Sequence, residues 1–195
     1  MTDIRVNPVS ITGYGSAAQD QFNGVITQLK SLCNACVEVR FYGANSVQFK
    51  NGAGDLAESF ANGLRNDMGN VANAIRTATS NIAGSLGGAP ITIEVSGEAI
   101  AAPPAPADTG ESGANTEALE GLITTVGTHF TAITSLLDNH LTSLQNTDWT
   151  GNAKENSVGA VTQFTTMAKD KASKAQEGLV NYIRSQIDAV VAADV

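Results

Sequence analysis

The chain is poor in aromatic residues, cysteine and histidine, and each shortage limits what it can be. Of its 195 residues, 5% are aromatic and 42% are apolar, so a core must consist mainly of Ala, Val, Ile and Leu. Two cysteines cannot provide the disulfide framework of a small secreted scaffold. Two histidines leave little material for a metal centre or for general-base chemistry. An enzyme is therefore disfavoured at the outset.

Basic residues are missing from a long internal tract. No lysine or arginine lies between Arg76 and Lys154, whereas eight acidic residues do, and the rest of the chain carries 11 residues of each sign. The net charge of −8 therefore belongs to this tract. A negative chain repels phosphate backbones and anionic lipid heads, so we expect no nucleic-acid partner.

Long apolar runs are missing as well. No segment approaches the roughly 20 apolar residues that a membrane-spanning helix requires. The first eight residues, Met-Thr-Asp-Ile-Arg-Val-Asn-Pro, lack the basic and apolar regions of a cleaved export signal. We expect neither a membrane span nor a cleaved signal peptide.

A change of composition near the middle divides the chain. Residues 101–115 are Ala, Pro and Gly with acidic residues between them, which predicts an extended linker. Just before it, Ile91, Ile93 and Val95 alternate with polar residues, which predicts one short strand without a partner in this chain. Such a strand could pair with another protein. The predicted parts are a first half at 1–88, a strand and linker at 89–114, and a second half at 115–195.

Two helical stripes of apolar residues lie 108 positions apart and indicate an internal repeat. The first stripe consists of Phe22, Val25, Leu29, Cys33 and Cys36. The second stripe consists of Phe130, Ile133, Leu137, Leu141 and Leu144. Steps of three and four residues place each set on one face of a helix. The same offset superposes Phe41-Tyr42-Gly43 on Trp149-Thr150-Gly151 and aligns further stripes downstream, beginning with Leu56, Phe60 and Leu64 in the first half.

Each half is therefore predicted to be a hairpin of two antiparallel helices. The predicted helices cover residues 14–40, 44–84, 115–147 and 152–192. One hairpin alone would leave its apolar stripe in water, so we expect the two hairpins to pack together as an all-α four-helix bundle. Glycine lowers helix propensity, and several glycines in the second helix predict a kink or break near Gly52.

The residues around Trp149 carry a family resemblance. Here the sequence is Leu-Gln-Asn-Thr-Asp-Trp-Thr-Gly-Asn-Ala, between two helical stripes. It resembles the W-x-G family of helical-hairpin proteins, the ESAT-like substrates of type VII secretion systems in Gram-positive and mycobacterial bacteria. The resemblance gives Trp149 the role of packing across the hairpin end and Gly151 that of permitting the turn. The repeat extends these roles to Phe41 and Gly43, so the chain resembles two partner hairpins fused.

The resemblance implies a non-enzymatic interaction module without a cofactor, exported without a cleaved signal peptide. Its partner would be another protein or a second copy, bound through helical faces. The family's export signal is Tyr-x-x-x-Asp/Glu. Here the residue four positions after Tyr182 is Gln186, and the nearest acidic residue, Asp188, lies two positions too late to match the signal. The alternative is a structural assembly subunit, of a bacteriophage particle or another large complex, located in the virion or the cytoplasm. In that case the segment 91–95 would add a strand to a neighbour's sheet edge.

The cysteines and histidines are expected to have structural roles. Cys33 and Cys36 have C-x-x-C spacing, but they lie late in a helix at core positions, whereas redox motifs of this kind lie at a helix N-terminus. We expect buried packing, with a redox pair or half a zinc site as alternatives. His129 and His140 lie roughly 16 Å apart along a helix, too far to share a metal, and are expected to flank the apolar stripe. We find no catalytic set.

Overall fold

The computed structural model describes residues 4–43, 45–86, 89–107 and 116–193, and they contain four helices. The helices are α1 (Pro8–Glu38), α2 (Ser46–Leu86), α3 (Thr116–Gln145) and α4 (Asn152–Ala193). The all-α class and the two helical hairpins are confirmed. Within the described ranges, no helix combines the length and apolar character needed to cross a membrane.

The chain forms two compact units, and every helix contributes a segment to both. Unit 1 comprises Met1–Ile26, Leu64–Glu98 and Thr134–Lys169, and unit 2 comprises Thr27–Gly63, Ala99–Ile133 and Asp170–Val195. Within each unit, segments of the four helices surround one apolar core, which is four-helix-bundle packing. Each unit therefore draws on both halves of the sequence.

The two cores are built from aliphatic side chains with a few rings between them. In unit 1 the buried residues include Tyr14, Ala18, Phe22, Met68, Ile75, Leu137, Leu144 and Val161. In unit 2 they include Leu29, Leu32, Ala57, Leu119, Val126, Phe130, Leu179 and Ile183. Each buried Leu, Ile or Phe contributes about 1.5–3 kcal/mol through loss of water contact. The packing of many such side chains holds the helices together.

Helix α1 begins six residues before its predicted start. The side-chain oxygen of Asn7 accepts hydrogen bonds from the backbone N–H groups of Val9 at 3.1 Å and Ser10 at 3.3 Å. Pro8 occupies the first helical position, where no backbone donor is needed. The Asn-Pro pair is the signal for this start, and the prediction at residue 14 was wrong because it followed the apolar stripe alone.

Helix α2 buries alanines where larger residues were expected. Ala53, Ala57 and Ala61 are buried, whereas Leu56 is 44% exposed and Phe60 is half-buried. Steps of four residues drift by roughly 40° around a helix. Going back from Leu64 in steps of four, Phe60 and Leu56 therefore turn progressively away from the core. The alanines lie on the same face of α2 as Leu64 and the core residues that follow it.

Of the kink or break predicted near Gly52, the break is absent, since α2 is continuous through this position. Instead, the lack of a side chain at Gly52 allows a close contact with α4. A Cβ built at Gly52 would lie 2.8 Å from Cζ of Tyr182 on α4. The helix can therefore accept the Tyr182 ring only because no side chain is present there.

The predicted strand at 91–95 is wrong. We call residues 89–107 the strap, and it is extended but belongs to no strand. Its side chains at Ile91 and Ile93 are 6% and 7% exposed, and Val95 is half-buried. The segment alternates because one side of it packs on helices of its own unit. The strap includes the first part of the predicted linker, and residues 108–115 lie outside the described residues.

Two glycines of α2 should respond oppositely to alanine. Gly63→Ala should raise the free energy of unfolding by about 0.5–1 kcal/mol, because a Cβ there meets nothing within 4 Å. Gly52→Ala should lower it by about 1–3 kcal/mol, because the Tyr182 ring must move. Urea denaturation of both variants measures the difference. Equal stability changes would contradict the close contact between Gly52 and Tyr182.

Candidate functional site

The two hairpin turns share one construction. In the tryptophan turn, Trp149–Gly151, the indole is 2% exposed and Gly151 has φ +112°. In the phenylalanine turn, Phe41–Gly43, the ring is 4% exposed and Gly43 has φ +119°. Positive φ is accessible to glycine at little cost and strains other residues. Each turn thus combines a buried aromatic residue with a left-handed glycine two positions later.

An N-terminal arm, residues 4–7, covers the tryptophan turn through backbone pairing. Arg5 and Thr150 exchange hydrogen bonds: the Arg5 N–H donates to Thr150 Oγ1 at 3.0 Å, and the Thr150 N–H donates to the Arg5 carbonyl at 2.8 Å. The Asn7 N–H donates to the Asp148 carbonyl at 3.0 Å. The two backbone-to-backbone bonds form an isolated antiparallel bridge between Val6 and Trp149.

Charge adds little to this pairing. Arg5 Nη2 lies 2.9 Å from Asp148 Oδ1, but the two side chains are 73% and 47% exposed, and such pairs contribute little in water. Hydrogen bonds from Asn7 and Arg5, together with the Arg5 charge, hold the pKa of Asp148 below its usual value. The indole Nε1 of Trp149 is buried without a hydrogen-bond partner in the described residues. The tryptophan therefore acts as an apolar plug.

At the phenylalanine turn, three rings pack in sequence within unit 2. The ring of Phe41 meets Phe49 edge-on at 5.5 Å, and Phe49 stacks on Tyr182 at 5.4 Å with an interplanar angle of 4°. Tyr182, the tyrosine that would open the family's export signal, thus lies inside α4 and supports the packing of this turn.

A buried polar pair in unit 1 was missed by the sequence analysis. Tyr14 Oη lies 2.9 Å from His140 Nε2 in a hydrogen bond, and the rings of Phe22 and His140 pack edge to face with centroids 4.7 Å apart. His140 is 0% exposed, so its expected place on the flank of the stripe was wrong. Leu141 is only half-buried. The sequence did contain a signal for this burial. His140 follows Leu137 by three residues and Leu141 follows it by four, so either residue could lie on the core face of the helix.

Burial controls the ionisation of this pair. It lowers the pKa of His140 to about 4 and raises the pKa of Tyr14 well above its usual value. His140 Nδ1 is buried without a hydrogen-bond partner in the described residues. A proton added to the imidazole would therefore place an unpaired charge in the core. The pair is neutral at pH 7.

The remaining candidates have packing roles. Cys33 and Cys36 are free and fully buried, and burial raises their pKa values to about 11 and 12. His129 Nδ1 lies 2.8 Å from the side-chain oxygen of Gln28, in unit 2. Among the described residues, no three His, Cys, Asp or Glu side chains are arranged to hold a metal ion.

A shallow groove of unit 1 lies between α2 and α4. Its volume is about 220 Å³. Its apolar lining consists of Val71, Ala74, Ala160, Phe164 and Met167. Met167 is 50% exposed, whereas Phe164 is 8% exposed, and Asp67 adds one acidic group.

The predicted site residues fall into three places within the fold. Trp149 and Gly151 form the tryptophan turn in unit 1, and Phe41 and Gly43 form the phenylalanine turn in unit 2. The strand candidates Ile91, Ile93 and Val95 lie in the strap. Comparison with protein-family models, curated proteins and solved structures finds no match for this chain.

Truncation of either turn aromatic should destabilise the protein. Trp149→Ala and Phe41→Ala should each lower the free energy of unfolding by about 3–5 kcal/mol, the usual cost of deleting a buried ring. Tyr42→Ala is the matched control, because Tyr42 lies between Phe41 and Gly43 in the same turn but is 44% exposed. Thermal and urea denaturation provide the measurement. Unchanged stability of the two ring-deletion variants would contradict their packing role.

Acid should weaken unit 1 through His140. Its pKa is about 4 when folded and about 6.5 when unfolded, so the unfolded chain takes up the proton first as the pH falls. Stability is therefore retained above pH 6.5 and falls by about 3 kcal/mol between pH 7 and pH 4. Denaturation curves across this range test the effect.

The control removes both members of the pair. The double variant Tyr14→Phe, His140→Leu leaves neither polar group unpaired, and it should lose this part of the pH dependence. His129→Gln should keep it, because His129 lies in unit 2 and is only partly buried. Equal pH profiles for the wild type and the double variant would contradict a buried, neutral His140.

Proposed function

We propose that this protein is a non-enzymatic helical module that binds other proteins, resembling a tandem pair of W-x-G hairpins exported by type VII secretion. The observation that carries the proposal is the shared construction of the tryptophan and phenylalanine turns. In each turn a buried aromatic residue precedes a left-handed glycine by two positions, at the place where the chain reverses between two long helices.

Packing between the two hairpins supports the tandem interpretation. In unit 1, Phe22 of the first hairpin contacts His140 at 4.7 Å and Phe164 at 6.3 Å, both in the second hairpin. In unit 2, Phe60 contacts Phe130 at 5.0 Å in the same manner. Each hairpin therefore buries its stripe against the other, as two separate W-x-G partners would.

The proposed partner is a protein that engages a helical face. The groove between α2 and α4 leaves Met167 half-exposed beside the buried Phe164, which gives an apolar contact surface. Net charge of −8 disfavours nucleic acid and anionic membrane surfaces. Two lysines of α4 form exposed ion pairs with acidic residues of this chain, which leaves less positive charge on that helix to attract an anionic partner: Lys169 contacts Asp138 at 2.8 Å, and Lys174 contacts Asp170 at 2.7 Å.

The alternative role as an assembly subunit drew on a free strand at 91–95. In the described structure Ile91 and Ile93 are buried in unit 1, and the segment is not a strand. The observation that favoured assembly therefore does not apply, and secretion remains the leading proposal.

Export is the direct test of the secretion proposal. A tagged chain should appear in the medium of a bacterium that has a type VII system, and it should remain inside an otherwise identical strain lacking the system's ATPase. Trp149→Ala should reduce export, whereas Lys174→Ala should not, because Lys174 is exposed and distant in sequence from the turn. Equal amounts in both media, or retention in both strains, would contradict export by this route.

A further inference from the structure

The part of the strap that lies in unit 1, residues 89–98, is held by side chains that bind its backbone. Gln19 on α1 uses its amide twice: Oε1 accepts the N–H of Glu94 at 2.7 Å, and Nε2 donates to the carbonyl of Glu94 at 2.9 Å. Thr79 Oγ1 on α2 accepts the N–H of Ile91 at 3.0 Å. Arg65 Nη1 donates to the carbonyl of Gly97 at 2.7 Å. The helices thus pair with strap backbone as an adjacent strand would.

The same chemistry occurs independently in unit 2. Asn62 accepts the N–H of Ile100 at 2.9 Å and donates to its carbonyl at 2.8 Å. Glu58 accepts the N–H of Ala102 at 3.0 Å. Two separate side-chain amides therefore each satisfy both polar groups of one strap residue. A solvent-exposed connection needs no such bonds, because water satisfies its backbone.

Isoleucine side chains provide the selective part of the contact in unit 1. Ile91 and Ile93 are buried two residues apart, with the exposed Thr92 between them. A Cβ at Gly15 would lie 3.1 Å from Cγ2 of Ile91, so this glycine lets the strap approach α1 closely. Backbone bonds combined with alternate side-chain contacts are the general means of recognising an extended peptide.

The strap does not fill the space beside it. A cleft of about 470 Å³ lies between α1 and the start of the strap, lined by Thr12, Gly15, Ser16, Gln19, Asp20 and residues 89–92. The face therefore has room for side chains larger than those of the strap at these positions.

We propose that the α1–α2 face of unit 1 is a binding site for an extended segment of another protein, with residues 89–98 as its internal occupant. The partner segment carries β-branched residues two apart, as Ile-Thr-Ile does in the strap, and offers a backbone N–H and carbonyl to Gln19. When this segment replaces residues 89–98 on the face, those residues become exposed while the helices stay folded. The inference rests on the proposed role in protein binding and names the partner's chemistry.

A peptide-exchange experiment tests the site. In one variant, residues 89–98 of the full chain are replaced by glycine and serine. The probe is a fluorescent synthetic peptide of residues 89–98. The replaced variant should remain helical by circular dichroism and bind the probe saturably, one to one, and the wild type should bind it more weakly because its own strap competes. A variant that does not fold, or that folds and does not bind, would overturn the proposal.

Matched variants assign binding to the strap contacts. In the replaced background, Gln19→Ala should raise the Kd about tenfold, the usual effect of losing two neutral hydrogen bonds. Gln21→Ala is the control, because the Gln21 amide donates to Ser143 at 3.0 Å instead of to the strap. A peptide with aspartate in place of both isoleucines should not bind. Equal affinities for Gln19→Ala and Gln21→Ala would overturn the proposed site.

Amide hydrogen exchange in the wild type distinguishes local opening of residues 89–98 from global unfolding. The amides of Ile91 and Glu94 should exchange at least 100-fold faster than buried amides of α1 in unit 1, because the strap opens while the helices stay folded. Equal rates would make the strap an integral part of the core and overturn the proposal. Export by type VII secretion could still be observed in that case, so the two proposals fail separately.

Discussion

Burial of one apolar stripe on each helix is the interaction on which the rest of this structure depends. The two cysteines are free and few rings are present, so neither cross-links nor large aromatic clusters substitute for it. Small and medium side chains can exclude water only where helices come close. That requirement explains why alanines of α2 face inward and why Gly52 has no side chain beside Tyr182. The turns serve the same end, since left-handed glycines let each chain reversal bring two stripes together.

The sequence was sufficient for the helices because periodicity is a property of long segments. Three predicted helices agree with the structure within about two residues at their ends, and the internal repeat is enough to locate both turns. The burial of Cys33 and Cys36 also followed from spacing, because both lie at positions three and four residues from other core residues. These features need only local information.

The features that could not be predicted depend on contacts between distant parts of the chain. His140 and Leu141 are neighbours on the edge of one stripe, and the partner Tyr14, 126 residues earlier, decides which is buried. The strap has the alternation of a strand because one side of it is buried, and periodicity does not reveal whether a sheet or a helix covers that side. Pairing of the arm with the tryptophan turn likewise joins residues more than 140 positions apart.

The buried thiols have a consequence for the proposed export of this protein. A disulfide forms only when a thiolate attacks, and with pKa values of about 11 and 12 the two cysteines supply almost none at neutral pH. Their sulfur atoms are also sealed from small oxidants and glutathione. The fold is therefore indifferent to the redox potential of its compartment. A chain folded in a reducing cytoplasm would keep the same covalent structure in an oxidising exterior, with no oxidoreductase needed on arrival.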